Sequence, residues 1–91
     1  MSREMEEALS SLKVDTSAFK VLCYLSFRAG ALQPSEIAEG SGEKASTVRA
    51  RLTELRRAGL VSATPDGYVS NLAPYDILMK LYRDIMKESR S

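Results

Sequence analysis

Between Pro34 and Val61 the chain reads PSEIAEGSGEKASTVRARLTELRRAGLV, and no other segment restricts the possible fold as much. Ile37 and Ala38 mark the buried face of a short helix. Gly40 and Gly42 let the chain turn with positive φ, which bulkier residues resist. Val48, Leu52 and Leu55 then recur at i, i+4 and i+7, which predicts a second helix with one face pinned to a core. The opposite face carries Ser46, Thr47, Arg49, Ala50 and Thr53. These side chains are small, polar or cationic, and can approach phosphates and base edges without clashing.

Two helices joined by a tight glycine-containing turn, the second of them basic, form the pattern of a DNA-reading helix-turn-helix. On EIAEGSGEKASTVRARLTELRRAGLV the chain resembles the winged helix-turn-helix of prokaryotic transcriptional regulators, most closely the MarR and TrmB-like groups. FKVLCYL resembles the preceding core helix, and LVSATPDGYVSNL stands where the wing hairpin belongs, so the resemblance spans Phe19 to Leu72. It implies a fold that is mostly α with a small β-hairpin, a winged helix-turn-helix with extra N- and C-terminal helices. It is more specific for fold than for function, because many winged helices bind proteins.

The expected organisation is a single domain over residues 1–91, with an N-terminal helix in 1–13, a winged core in 15–72 and a C-terminal dimerisation helix in 74–89. Met5, Ala8, Leu9 and Leu12 form an apolar stripe on the first helix. Asp15 is a fair N-cap for a second helix running to about Ala29, ended by Gly30; Ala18, Val21, Leu22 and Leu25 make its main face, broadened by Phe19, Cys23 and Phe27. Leu32 contributes a short extended segment, and Pro34 suits the first turn of the next helix. The recognition helix begins near Lys44 or Ala45, without an ideal cap, and stops at Ala58-Gly59. LVSAT and YVSNL are short strands joined by Pro65-Asp66-Gly67. This wing carries no cation and has Asp66 at its tip, unlike DNA-binding wings that set Arg or Lys beside the minor groove.

A chain of 91 residues, 44% of them hydrophobic, is near the size where oligomerisation supplements a small core. Its 13 basic and 12 acidic side chains leave a net charge of only +1, so any electrostatic footprint for nucleic acid is local. Lys44, Arg49, Arg51, Arg56 and Arg57, set against Glu54 alone, supply it. Single Cys23 precludes an internal disulfide, and reads as a buried core thiol in preference to a redox sensor. No signal peptide or spanning apolar run is present, so a cytoplasmic location with no membrane partner is expected. Lacking histidine, a cysteine pair and a phosphate-binding loop, the chain is expected to be no enzyme and to need no cofactor or metal.

These readings converge on a sequence-specific transcriptional regulator that binds double-stranded DNA as a homodimer, any small-molecule effector being unidentified. The candidate DNA-binding residues are Lys44, Ser46, Thr47, Arg49, Ala50 and Thr53, with Arg49 foremost. Arg51 is expected to turn partly toward the domain, while Arg56 and Arg57 read as solvated or as partners of the helix C-terminus. Met5, Leu9 and Leu12 at one end, and Leu78, Leu81, Tyr82, Ile85 and Met86 at the other, are the candidate dimer interface, since so small a domain does not cover both stripes. A protein-interaction adaptor and a nonspecific DNA-coating protein are the alternatives. A salt titration on specific and scrambled duplexes separates them.

Overall fold

The computed structural model describes residues 2–89, which form five helices and one antiparallel hairpin in the order α1 (Arg3–Ser11), α2 (Ser17–Ser26), α3 (Pro34–Ser41), α4 (Ala45–Arg57), β1 (Val61–Thr64), β2 (Gly67–Ser70) and α5 (Pro74–Ser89). The fold is mostly helical and has the shape of a winged helix-turn-helix. Residues 1, 90 and 91 of the expected domain lie outside the described residues.

Helix α2 is the centre of the packing. Val21, Leu22 and Leu25 are enclosed, and Ile37 of α3, Val48, Leu52 and Leu55 of α4, Leu60 of the following turn, Val61 of β1 and Ile77 of α5 close around them. The i, i+4, i+7 triplet of α4 therefore does what its spacing predicts. Two expectations for α2 are corrected. Its cap is Thr16, whose Oγ1 accepts from the Phe19 amide at 3.3 Å and donates to the Lys13 carbonyl at 2.7 Å, while Asp15 lies exposed in the preceding turn. The helix also stops at Ser26, not near Ala29, which leaves Phe27 about half exposed as the C-cap and Gly30 in the following loop.

The helix-turn-helix corner turns on one glycine. Gly42 adopts φ +78° and donates its amide to the Ala38 carbonyl, whereas Gly40, expected to share that role, sits inside α3. Gly40 is needed for a different reason: a Cβ there would run into the Tyr24 ring. At the far end of α4, the Gly59 amide bonds the Arg56 carbonyl and the Leu60 amide bonds the Leu55 carbonyl, a Schellman stop with Gly59 at φ +79°.

The hairpin pairs Val61 with Ser70 and Thr64 with Gly67 around a Pro65-Asp66 turn. It is fastened to the helical layer at three points. Leu32 exchanges both backbone hydrogen bonds with Tyr68 (3.0 and 2.8 Å), confirming the short extended segment before Pro34. Gln33 donates its side-chain amide to the Asp66 carbonyl at 3.1 Å. The buried Ser26 hydroxyl meets that of Ser70 at 2.7 Å, with Ser26 also donating to the Leu22 carbonyl and Ser70 accepting from the Leu72 amide. The Ser26 and Ser70 hydroxyls are thus matched where the hairpin closes on α2.

The terminal helices behave differently from each other. Leu9 is buried in the domain's own core, and Met5, Ala8 and Leu12 pack against it, so the domain does cover the amino-terminal stripe. The α5 stripe divides instead. Ile77 is fully enclosed and Leu81 half-buried, while Tyr75, Leu78, Tyr82, Ile85 and Met86 are exposed along an adjacent face. On the buried side Lys80 stands where an apolar residue is usual, only 4% exposed. Its ammonium lies over the Phe19 ring and bonds Asp84 Oδ2 at 2.9 Å, so the charge is paired while the methylene stem fills core space.

Candidate nucleic-acid interface

Helix α4 exists as a presenting surface because its apolar triplet anchors one side and leaves the other to solvent. Lys44, Ser46, Arg49, Ala50 and Thr53 are exposed, and Thr47 is half-buried on the flank. Lys44 is the N-cap residue but supplies no capping side chain, so the first-turn amides of α4 receive no cap from it and carry the positive end of the helix dipole outward. Thr53 donates its hydroxyl to the Arg49 carbonyl at 3.0 Å one turn back. The threonine methyl is left as the part of that side chain available for apolar contact.

The five cations of this segment part company. Arg51 turns to the domain, as expected: its side chain is two-thirds covered, its guanidinium binds Glu54 at 2.6 Å, and its Nε is enclosed with no hydrogen-bond partner. Arg56 and Arg57 are exposed. Arg49, Thr53 and Arg56 share one face by their i, i+4, i+7 spacing, and Thr53, Arg56 and Arg57 join Tyr68 of β2 around an open notch of about 340 Å³. Sequence reasoning missed this association, because only the docking of the hairpin brings Tyr68 to the end of α4.

The hairpin itself matches its sequence: no Lys or Arg stands between Leu60 and Leu72, and Asp66 is exposed at the tip. Thr64 Oγ1 organises that tip, accepting from the Asp66 amide and donating to the Gly67 carbonyl.

Cys23 is half-buried and burial pushes its thiol pKa up, which disfavours the reactive thiolate. Among the described residues no group of acidic, histidine or cysteine side chains could hold a metal ion, and no helix is long and apolar enough to cross a membrane. Of the candidate dimer residues, Leu78, Tyr82, Ile85 and Met86 lie on the exposed face of α5, Leu81 on its boundary, and Met5, Leu9 and Leu12 against the core; Tyr75 belongs with the exposed set and was missed.

Comparison with known families places this geometry. The model of the IclR helix-turn-helix domain matches residues 17–65, from the start of α2 to the hairpin turn. No match is found among curated proteins or among solved structures. The resemblance to MarR and TrmB-like regulators therefore needs correcting at the level of family, though not of motif, since the glycine turn and the Val-x-x-x-Leu-x-x-Leu helix are packing requirements that winged helices share. The matched segment is just over half of the 91 residues, and the chain belongs to the IclR-type helix-turn-helix family, carrying the DNA-binding domain of a transcription regulator.

Proposed function

We propose that the chain acts as one winged-helix domain that reads a specific double-stranded sequence through α4 and does so as a homodimer. The observation that carries the reading is the outward face of α4, where Arg49 stands among Ser46, Ala50 and Thr53 with no acidic residue between them. Arg49 is placed to reach a guanine edge bidentately, with the small neighbours allowing close approach to the groove floor. Lys44 and the uncapped first-turn amides of α4 suit a backbone phosphate. Thr47, half-buried beside Arg51, sits at the margin of that surface.

The exposed stripe of α5 supports the homodimer. Tyr75, Leu78, Tyr82 and Ile85 follow a three-four-three spacing, the period of a helix-helix seam. Two copies joined there would set two α4 helices against half-sites about one helical turn, ~34 Å, apart on a pseudo-palindrome.

Arg49→Ala tests the reading directly. Affinity for the selected operator is expected to fall by ~1–3 kcal/mol per half-site, with preference relaxed at the base that Arg49 reads and the thermal unfolding unchanged. Unaltered affinity and preference would sink the assignment. A second reading, a protein-interaction adaptor, is favoured by the acid-tipped wing and the apolar α5 face; it expects no duplex binding from the wild-type chain.

A further inference from the structure

A wing without cations leaves open how the hairpin side of the domain meets a polyanion. The notch between the last turn of α4 and β2 is lined by Thr53, Arg56, Arg57 and Tyr68, none of them acidic. Resting on the DNA-binding reading above, we infer that this notch holds one backbone phosphate of the bound duplex, with Arg56 and Arg57 as charge partners and the Tyr68 hydroxyl as a neutral donor.

Four observations carry it. The first is position: Arg56 lies on the Arg49 face of α4, seven residues on and therefore about 10 Å along the helix axis, so a duplex seated on Arg49 runs past the notch. The second is that the two arginines are not taken up by ion pairs among the described residues. The carbonyls of Glu54, Leu55 and Arg56 at the end of α4 already accept from the amides of Ala58, Leu60 and Gly59, so those carbonyls do not require the guanidiniums as donors, and a cation that complements the helix dipole there remains open to an anion.

The third is charge balance. Glu54, the one acid of α4, lies across the helix axis from Arg56 and three residues before Arg57 by its spacing, and its charge is engaged by Arg51 at 2.6 Å. The local field in the notch is therefore left positive, and a planar guanidinium suits the two non-bridging oxygens of a phosphodiester. The fourth is rigidity. The Tyr68 backbone is bonded on both its amide and its carbonyl to Leu32, which fixes the root of the side chain without spending its hydroxyl. The cations that other wings carry on the hairpin are here supplied by the recognition helix, and the hairpin contributes the tyrosine.

The test uses the full chain, a short duplex of mixed sequence, and fluorescence anisotropy over a range of salt. For the double variant Arg56→Gln/Arg57→Gln, the slope of log K against log salt is expected to become shallower by about 1 per protomer. Tyr68→Phe is expected to weaken binding several-fold with the slope unchanged, because it removes a donor and no charge. Arg3→Gln, which removes a cation outside α4 and the hairpin, should leave the slope as in wild type.

Scanning the selected operator duplex, on which the protein has a fixed register, with single methylphosphonates should reveal one position per half-site whose neutralisation weakens wild type but not the double variant. The inference is overturned if the double variant keeps the wild-type slope, if Tyr68→Phe binds like wild type, or if no methylphosphonate position loses its effect in the double variant. Failure of wild-type protein to bind any duplex is a different result, and removes the DNA-binding reading together with the notch. Each substituted side chain is exposed or half-buried, and matched thermal melts show that the variants remain folded.

Discussion

Leu78→Glu combined with Tyr82→Glu is expected to turn the proposed α5 dimer into a folded monomer and to weaken operator binding by about 100-fold or more, the effective-concentration advantage of joining two half-site readers. Both side chains are more than half exposed, at 54% and 57%, so the domain loses little of its own core. Two facing α5 helices would instead gain four desolvated carboxylates in an apolar seam, and like charges there exclude pairing. Sedimentation velocity at micromolar concentration reads the assembly, and titration of one-half-site and two-half-site duplexes reads the consequence. A variant that stays dimeric places the interface elsewhere. A monomer that binds the two-half-site duplex as tightly as wild type would separate assembly from recognition.

Gly67→Ala is expected to be the most damaging single methyl in the chain. Gly67 sits at φ +132°, and a Cβ there would lie 2.5 Å from the Leu32 carbonyl oxygen and 2.6 Å from its carbon. Both obstacles are backbone atoms, held in the bridge that joins Leu32 to Tyr68, so no side chain can swing aside. Backbone strain and overlap each cost about 1–3 kcal/mol; a combined loss of about 3 kcal/mol lowers Tm by roughly 10–20 °C in a domain this small. Circular dichroism melts decide it, and an unchanged Tm would contradict the docking of the hairpin on the Leu32 segment. Gly30→Ala is the contrast. That glycine also has positive φ, but its Cβ would meet nothing within 4 Å, leaving conformational strain alone.

What could be read from residue order follows a physical division. Periodicity reports burial, so Val48, Leu52 and Leu55, and the break at Gly59, were legible as a helix with one anchored face. Caps are decided by which of two neighbouring side chains reaches the free amides. That geometry separates Thr16 from Asp15 and is invisible in their order. Lys80 was illegible for a different reason: a lysine on an apolar stripe reads as solvent-facing, and only the nearby Asp84 and Phe19 make its burial tolerable. The amino-terminal stripe was recognised as apolar, but its partner is the domain's own core, a fact of tertiary packing. Arg56 and Arg57 read in sequence only as solvated or as partners of the helix C-terminus, because the residue that gives them a shared notch, Tyr68, is eleven positions downstream of Arg57 and reaches them only once β2 docks. The family itself was misread between MarR or TrmB-like and IclR because the residues compared were those that packing imposes on all of them.

The three fastenings of the hairpin bear on the kinetics of recognition. With its root bonded to Ser26 and its turn end to Leu32 and Gln33, the wing is ordered before any duplex arrives. Encounter then requires no folding of a loop and no closing step. Association should proceed as a single phase whose rate follows protein concentration and falls with added salt, in the manner of charge-steered collision. Differences in affinity between one sequence and another should accordingly appear in how long the complex lasts, while the rate of its formation stays nearly constant.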